Sequence, residues 1–266
     1  MKMKDWKKIY KQAMDWTFEA GEIIKESLGN KLTIETKLNA KDLVTNVDKE
    51  IEAFFYHKIQ ETFEGHRIIG EESKGHDISD LSDTVWIIDP IDGTMNFVNQ
   101  SRNFAISLGI YENGIGKIGI TYDVIHGEMF HCLSGNGFYI DNRKLESLKQ
   151  FQMDEALIAI NSGLMMENRF VDYKIIHRLI RDARGSRHLG TATIQLAYVA
   201  AGFLDCYFTT KLCPWDVAAG RIFLNEVGGE LTNLKGEEFN VLDTSSMIAS
   251  KPGFHEIIFR DYLSKS

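Results

Sequence analysis

Three short acidic stretches stand out in this sequence, because each combines carboxylates with residues that begin or end secondary-structure elements. They are Gly70-Glu71-Glu72-Ser73, Asp89-Pro90-Ile91-Asp92-Gly93-Thr94 and Pro214-Trp215-Asp216. Carboxylate oxygens are the ligands that Mg²⁺ prefers in proteins. If the fold brings the three stretches together, they predict a magnesium site.

The central stretch follows the apolar run at residues 84–88, which predicts a buried strand that ends at Asp89. Asp92 comes three residues later, so both carboxylates are expected at the carboxyl end of that strand. Two carboxylates about 4 Å apart repel by about 4 kcal/mol at an effective dielectric of about 20, so the pair needs protons or cations. Gly93 and Thr94 can then direct backbone N–H groups toward an anion.

Each stretch also has an ordinary structural interpretation. Asp, Pro and Gly favour turns, and Glu71 and Glu72 are typical of a solvated surface. Asp216, directly before the apolar residues that begin with Val217, is a good helix N-cap. The presence of all three stretches in one chain favours the metal site over three unrelated turns and caps.

Hydrophobic periodicity indicates which elements position these stretches. An amphipathic helix is predicted at residues 5–28, and Thr45 with Asp48 forms a capping box at the start of a second helix. Further helices are predicted at residues 169–181, 191–201 and 217–227. Strands are predicted at residues 32–36, 67–70, 84–88, 104–111, 115–122, 128–133, 137–140, 156–161 and 203–209. No Pro-rich or Ser-rich linker divides the chain, so one compact unit is expected.

Composition excludes several classes of protein. The chain has 266 residues and a net charge of −8, which disfavours non-specific binding to nucleic acid or anionic membranes. The sequence contains neither a long apolar run nor a secretory h-region. Its three cysteines form no C-x-x-C pair, which favours a reducing, cytoplasmic setting.

Other signatures are weaker. Residues 114–119 match G-x-G-x-x-G, but a strand-like run follows where a dinucleotide site needs a helix. A haloacid-dehalogenase-type phosphatase would use Asp89 as a covalent nucleophile, yet its D-x-D spacing differs from the two residues between Asp89 and Asp92. The histidines, including His126 and His131, show no zinc spacing. A non-enzymatic metal-binding protein remains an alternative.

The acidic stretches belong to a longer series of motifs, which comprises Asp42-Leu43-Val44-Thr45 with Asp48, Gly70-Glu71-Glu72-Ser73, Trp86 to Thr94 with Asn96-Phe97, Gly190-Thr191-Ala192, and Trp215 to Gly220. In these motifs the sequence resembles the inositol monophosphatase family, a group of lithium-sensitive, magnesium-dependent phosphatases. The resemblance covers nearly the whole chain. It implies an α+β fold, a layered αβαβα sandwich of the inositol monophosphatase/fructose-1,6-bisphosphatase type. One phosphatase domain is expected over residues 1–266, with halves at about 1–148 and 149–266.

The resemblance also implies roles for individual residues. Glu71, Asp89 and the Ile91 carbonyl would hold one Mg²⁺, and Asp89, Asp92 and Asp216 a second; a third ion can bind near Glu71. Gly93 and Thr94 would bind phosphate. Asp48 and Thr94 would orient and help to deprotonate the attacking water, with Glu71 as a further catalytic residue. Gly190, Thr191 and Ala192, together with Asp216, would contact the alcohol side of the substrate.

The implied reaction is direct, in-line hydrolysis of a small phosphate monoester, without a phospho-enzyme. Inositol monophosphate is the default substrate. Thr209 stands where the family's animal enzymes carry a Glu that contacts inositol, so the 2′-phosphate of NADP, fructose 1,6-bisphosphate and other nucleotide or sugar phosphates remain alternatives. A homodimer is common in the family, and no nucleic-acid or membrane partner is expected.

Overall fold

The computed structural model describes residues 4–37, 43–72 and 80–263. Two motif residues, Asp42 and Ser73, lie outside these ranges. Within the described residues, no helix has both the length and the apolarity that crossing a membrane requires.

The described residues form seven α-helices. Their bounds are α1 (Trp6–Ser27), α2 (Asn46–Thr62), α3 (Thr94–Gln100), α4 (Tyr173–Asp182), α5 (Ala192–Ala200), α6 (Pro214–Val227) and α7 (Phe254–Ile257), and a π-helical turn at Ile258–Leu263 follows. The capping box predicted for α2 is confirmed, since the Thr45 side chain accepts the N–H of Asp48 and the Asp48 side chain accepts the N–H of Thr45.

A seven-stranded sheet occupies the first half of the chain. Its strands are, in spatial order, β3 (Arg67–Gly70), β4 (Thr84–Asp92), β5 (Ala105–Glu112), β6 (Ile115–Asp123), β7 (Glu128–Leu133), β8 (Phe138–Ile140) and β9 (Arg143–Lys144). The β3–β4 pair is parallel, and the other pairs are antiparallel. A small antiparallel hairpin of β1 (Ile34–Thr36) and β2 (Leu43–Thr45) precedes α2.

A five-stranded mixed sheet occupies the second half. Its spatial order is β11 (Gly185–Arg187), β10 (Leu157–Ile160), β12 (Cys206–Leu212), β14 (Ser245–Ser250) and β13 (Glu230–Thr232). Strand β10 is parallel to both of its neighbours, whereas β14 is antiparallel to β12 and β13.

Three hydrophobic cores separate five layers. The first lies between α1, α2 and one face of the seven-stranded sheet. The second lies between the two sheets and encloses α5 and α6, and the third packs α4 and α7 on the outer face of the smaller sheet. The layers therefore run α, β, α, β, α, which confirms the fold class expected from the resemblance.

Several predicted boundaries were wrong for local reasons. Helix α4 begins at Tyr173 rather than at residue 169, because the side chain of Asn168 accepts the N–H groups of Phe170 and Val171 and forms a turn there. Strand β12 begins at Cys206 rather than at Phe203, whose N–H still bonds to the end of α5.

Candidate active site

A β-bulge in strand β4 brings two acidic residues to the same side of the sheet. Opposite strand β5, Asp89 pairs with Ser107 and Asp92 with Ala105, so β4 contains one residue more than its partner over this interval. Residues three apart in a regular strand point to opposite faces. The extra residue reverses that alternation, and Pro90 is tolerated there because a bulge leaves a ladder position unpaired. The strand extends to Asp92 and does not stop at Asp89 as predicted.

Helix α6 contributes the third carboxylate. The helix begins at Pro214, with Cys213 as N-cap, so Asp216 lies in its first turn rather than before it. The backbone N–H of Cys213 donates to Asp216 Oδ2 at 2.7 Å. Asp216 thus caps the helix from its first turn, by accepting the N–H of Cys213 at Oδ2. That bond does not use Oδ1 of Asp216.

Asp92 connects β4 to the start of α5. Its Oδ2 accepts the N–H of Thr193 at 2.7 Å, the Thr193 hydroxyl at 2.7 Å and the Thr191 hydroxyl. These bonds hold the loop from Gly190 to Ala192 against the carboxylate. Asp92 therefore fixes the position of the end of β4 relative to the start of α5.

Asp48 is fully buried at the start of α2 and also divides its oxygens. Its Oδ2 accepts the N–H of Thr45 at 2.9 Å, whereas the Thr94 hydroxyl lies 3.1 Å from its Oδ1. The same hydroxyl lies 3.1 Å from the carbonyl oxygen of Ile91. The predicted Asp48–Thr94 pair is thus present as a hydrogen-bonded contact.

Glu71 lies at the end of β3 and contacts Asp89. Its Oε1 is 2.8 Å from the ammonium group of Lys37, which also lies 2.5 Å from Glu72 Oε1. Lys37 was not singled out from the sequence, since an isolated lysine after a short strand carries no signal of its own.

The acidic groups open into one small cavity of about 190 Å³. It is lined by Leu43, Glu71, Asp89, Ile91, Asp92, Gly93, Thr94, Met95, Gly190 and Asp216. One oxygen from each of Asp89, Asp92 and Asp216 lies within 4.8 Å of the others. The three acidic stretches, separated by up to 145 residues of sequence between Glu71 and Asp216, therefore meet.

The loop at Gly93 gives the cavity a backbone wall. Gly93 has φ of +88°, and a Cβ there would lie 3.1 Å from the carbonyl oxygen of Asn103. No side chain caps the first turn of α3, which begins at Thr94. The amides of that turn are therefore free of a side-chain acceptor and can face an anion.

Of the residues predicted to contact the alcohol side of the substrate in the loop before α5, only Gly190 lines the cavity. Gly190 lines it, and Asn96 holds the neighbouring Leu189 by donating to its carbonyl oxygen at 2.8 Å. Thr191 is buried against Asp92, and neither Thr191 nor Ala192 is among the lining residues. Thr209 is buried in β12 and is not a lining residue either.

The electrostatics of the cavity favour bound cations. Burial and the negative charges of Glu71, Asp92 and Asp216 raise the pKa of Asp89 well above its ordinary value. Burial and the charge of Asp92 likewise raise the pKa of Asp216. Burial also raises the pKa of Glu71 and Asp48.

The donor set fits Mg²⁺. In the described part of the chain, no Lys, Arg or His side chain forms a salt bridge with Asp89, Asp92 or Asp216. The lining offers carboxylate and carbonyl oxygens, as a hard cation requires, and no histidine. A divalent cation would relieve the repulsion that raises the pKa of these carboxyls.

Comparison with known proteins gives one consistent result. The profile of the inositol monophosphatase family matches residues 5–264. An inositol-1-monophosphatase of Bacillus subtilis is 52% identical over 261 residues, which cover 98% of each chain.

Solved structures are similar throughout. A staphylococcal IMPase-II has a TM-score of 0.86 at 38% identity, covering 97% of this chain and 94% of its own. An IMPase/NADP phosphatase in complex with Mg²⁺ and phosphate has a TM-score of 0.89 at 27% identity, covering 97% and 95%. The family profile and the Bacillus subtilis relative both match nearly the whole of the present chain, and its fold and cluster of carboxylates agree with them. The chain therefore belongs to the inositol monophosphatase family.

Proposed function

We propose that this chain is a magnesium-dependent phosphatase that hydrolyses small phosphate monoesters by direct attack of water. The observation that carries the proposal is the convergence of Asp89, Asp92 and Asp216 within 4.8 Å, beside the first turn of α3, which no side chain caps. The cavity thus combines ligands for cations with a place for an anion.

The metal ligands proposed from the resemblance have oxygens available in this structure. Asp92 and Asp216 each use Oδ2 in a bond to backbone or hydroxyl groups and keep Oδ1 for a cation. Asp89 accepts the N–H of Ile91 at Oδ1, which leaves its Oδ2. When bound by these residues with Glu71 and the Ile91 carbonyl, two or three Mg²⁺ ions would neutralise the phosphate and lower the pKa of water.

Asp48 and Thr94 are proposed to hold the attacking water. With Asp48 ionised, its carboxylate accepts the Thr94 hydroxyl proton, which leaves a lone pair of Thr94 Oγ1 able to accept a hydrogen bond from water. Burial raises the pKa of Asp48, which makes it a better proton acceptor than an exposed aspartate.

Inositol monophosphate is the proposed default substrate, by similarity to the Bacillus subtilis relative. IMPase-II structures have been solved with inositol monophosphate and with 2′-AMP bound, so a nucleotide 2′-phosphate is the second candidate. The cavity volume of about 190 Å³ suits a phosphate and its metal ions, and the alcohol must extend beyond it.

Phosphate release tests the proposal. We expect release with Mg²⁺, but not with a chelator, from at least one of inositol 1-phosphate, NADP, fructose 1,6-bisphosphate and 3′-phosphoadenosine 5′-phosphate. Asp89→Asn should lose this activity and remain folded by circular dichroism. Asp154→Asn, at an exposed aspartate in the other half, makes the same charge change and should retain it. Unchanged turnover of Asp89→Asn would refute the site, and a trapped aspartyl-phosphate at Asp89 would replace the mechanism with a covalent one.

Assembly and location stay predictions. The resemblance implies a homodimer, and composition favours the cytoplasm; sedimentation analysis and localisation of a tagged chain would test them.

A further inference from the structure

Glu52 is a buried carboxylate to which the proposed reaction gives no role. It lies four residues after Asp48 on α2, so both side chains project from the same face of the helix. Asp48 contacts the Thr94 hydroxyl, whereas Glu52, which is 8% exposed, reaches the end of β3. Burial of a carboxylate is costly unless hydrogen bonds compensate for the lost water, so the contact that Glu52 makes indicates its role.

That contact holds the backbone on the far side of Glu71. Strand β3 ends at Gly70, and one further bond, from the N–H of Glu71 to the carbonyl oxygen of Ile88 at 3.3 Å, continues the contact with β4. The next N–H, that of Glu72, donates to Glu52 Oε2 at 2.8 Å. The main chain is therefore bound at Glu71 by the sheet and at the following residue by α2.

Gly70 leaves the space in which the Glu52 carboxylate lies. A Cβ at Gly70 would lie 2.5 Å from Glu52 Cδ and closer still to its Oε2. Side-chain carbons do not approach so closely, so any larger residue at this position would displace the carboxylate from the amide of Glu72. The glycine that opens the first acidic stretch thus permits the contact between α2 and the segment after β3.

Lys37 contacts the same segment in a different way. Its ammonium group lies 2.8 Å from Glu71 Oε1 and 2.5 Å from Glu72 Oε1, so it occupies side-chain oxygens that a bound cation would need. Glu52 binds the backbone amide and uses neither oxygen of Glu71. The contact of Glu52 is therefore compatible with a metal ion on Glu71.

We propose that Glu52 is a positioning residue for metal binding, which directs the Glu71 carboxylate toward the acidic site by holding the backbone beside it. The inference rests on the proposed function, in which Glu71 holds Mg²⁺. Glu52 acts through an accepted hydrogen bond and not through its charge. An amide oxygen at the same position should therefore replace its carboxylate, whereas a methyl group should not.

The test measures cation binding in the absence of substrate. Mn²⁺, which prefers the same oxygen ligands as Mg²⁺, serves as the probe, and the electron paramagnetic resonance signal of the free ion gives the bound fraction. Glu52→Ala should raise the Kd for Mn²⁺ about tenfold, at the lower end of what loss of a ligand-orienting contact costs. Glu52→Gln should recover most of the affinity. Glu50→Ala makes the same change at an exposed position of α2 and should bind as the wild type does.

Gly70→Ala breaks the same contact while it retains Glu52. It should weaken Mn²⁺ binding as Glu52→Ala does, and the double variant should bind no more weakly than either single variant, because one contact cannot be lost twice. Circular dichroism in a chelator checks that each variant is folded. If Glu52→Ala does not fold, Gly70→Ala and Glu52→Gln decide the question.

The outcomes separate the two proposals. A wild type that binds no Mn²⁺ and releases no phosphate with Mg²⁺ contradicts the proposed function itself. Normal Mn²⁺ binding in Glu52→Ala, or in Gly70→Ala, overturns the positioning role alone. A Glu52→Gln variant as weak as Glu52→Ala would assign the effect to negative charge and also overturn it.

Discussion

The ammonium group of Lys37 lies 2.8 Å from the carboxylate of Glu71, a residue proposed to hold Mg²⁺. Both side chains are about one-fifth exposed, so their charges are only partly screened. In this arrangement Lys37 contributes a positive charge where a metal ion is expected. Lysine and metal must therefore compete for the same oxygens or share them at an electrostatic cost.

Lys37→Gln should lower the Mg²⁺ concentration that gives half-maximal activity by several-fold, because a competing cation is removed. Activity measured across a magnesium titration gives that value directly. Lys49→Gln is the matched control, since Lys49 pairs with the exposed Glu35 on the outer surface and should not shift the titration. A higher magnesium requirement in Lys37→Gln would mean that Lys37 assists metal binding.

Thr94→Val should reduce kcat by about 10²–10⁴-fold, because it removes the hydroxyl that connects Asp48 to the attacking water. Metal binding should persist, since Thr94 contributes no carboxylate. Thr94→Ser retains a hydroxyl at the same position and should recover most of the activity. Equal loss in the valine and serine variants would argue for packing rather than for the hydroxyl.

Addition of Mg²⁺ should raise the thermal midpoint of the wild type by several degrees at saturating concentration, because a ligand that binds only the folded state stabilises it. Asp216→Asn should show a smaller shift. In a chelator the variant should be at least as stable as the wild type, since it lacks a charge whose ionisation the folded site disfavours. Its amide oxygen can still accept the N–H of Cys213. A full magnesium shift in Asp216→Asn would remove this residue from the metal site.

Stability should depend on His66 at mildly acidic pH. Trp86 Nε1 donates to His66 Nδ1 at 3.0 Å, so the imidazole must be neutral to accept. Burial, with the charge of Lys4, lowers the pKa of His66 to about 4. Below the ordinary histidine pKa of about 6.5, the unfolded chain therefore binds more protons than the folded one. The contribution of neutral His66 to the free energy of unfolding is complete above that pH and decreases as the pH falls toward 4.

Urea unfolding at pH 7.5 and pH 5 measures this effect. His66→Asn places an uncharged acceptor near the position of Nδ1, and it should lose less stability between the two pH values than the wild type, by about 1–2 kcal/mol. The comparison uses the change with pH, because the variant also loses the stacking of the ring on Phe63. Parallel pH dependence of the two proteins would exclude a role for His66.

The sequence singled out the acidic residues that meet at the cavity, but it did not predict the geometry that brings them together. The apolar run before Asp89 correctly predicts a buried strand there, but the strand continues through Asp89 and ends at Asp92. The bulge that turns them to one face is a matter of register against β5, which lies in another part of the chain. A non-local pairing of that kind has no signature within the stretch itself.

Capping and metal binding are compatible roles for Asp216, although the sequence alone presents them as alternatives. A carboxylate has two oxygens, and the cap uses one of them. Asp48 and Asp92 divide their oxygens in the same way, at α2 and at α5. A local sequence pattern thus predicts that a carboxylate caps a helix. The contacts of its second oxygen depend on tertiary packing, which the local pattern does not reveal. The substrate contacts at Thr191 and Ala192 stay predictions, since neither residue lines the cavity of about 190 Å³.

Gly109→Ala tests whether close packing of α6 on the sheet positions Asp216. A Cβ at Gly109 would lie 2.5 Å from the Cβ of Ala218, on the helix that carries Asp216. Helix and strand must separate to admit the methyl group, which should cost about 1–3 kcal/mol of stability. The carboxylate then shifts relative to Asp89 and Asp92, so kcat should decrease although no site residue is changed. Gly29→Ala, where a Cβ meets nothing within 4 Å, is the control for both urea unfolding and turnover. A Gly109→Ala variant that is destabilised yet fully active would show that the position of Asp216 depends on its cap at Cys213 and not on the packing of the helix.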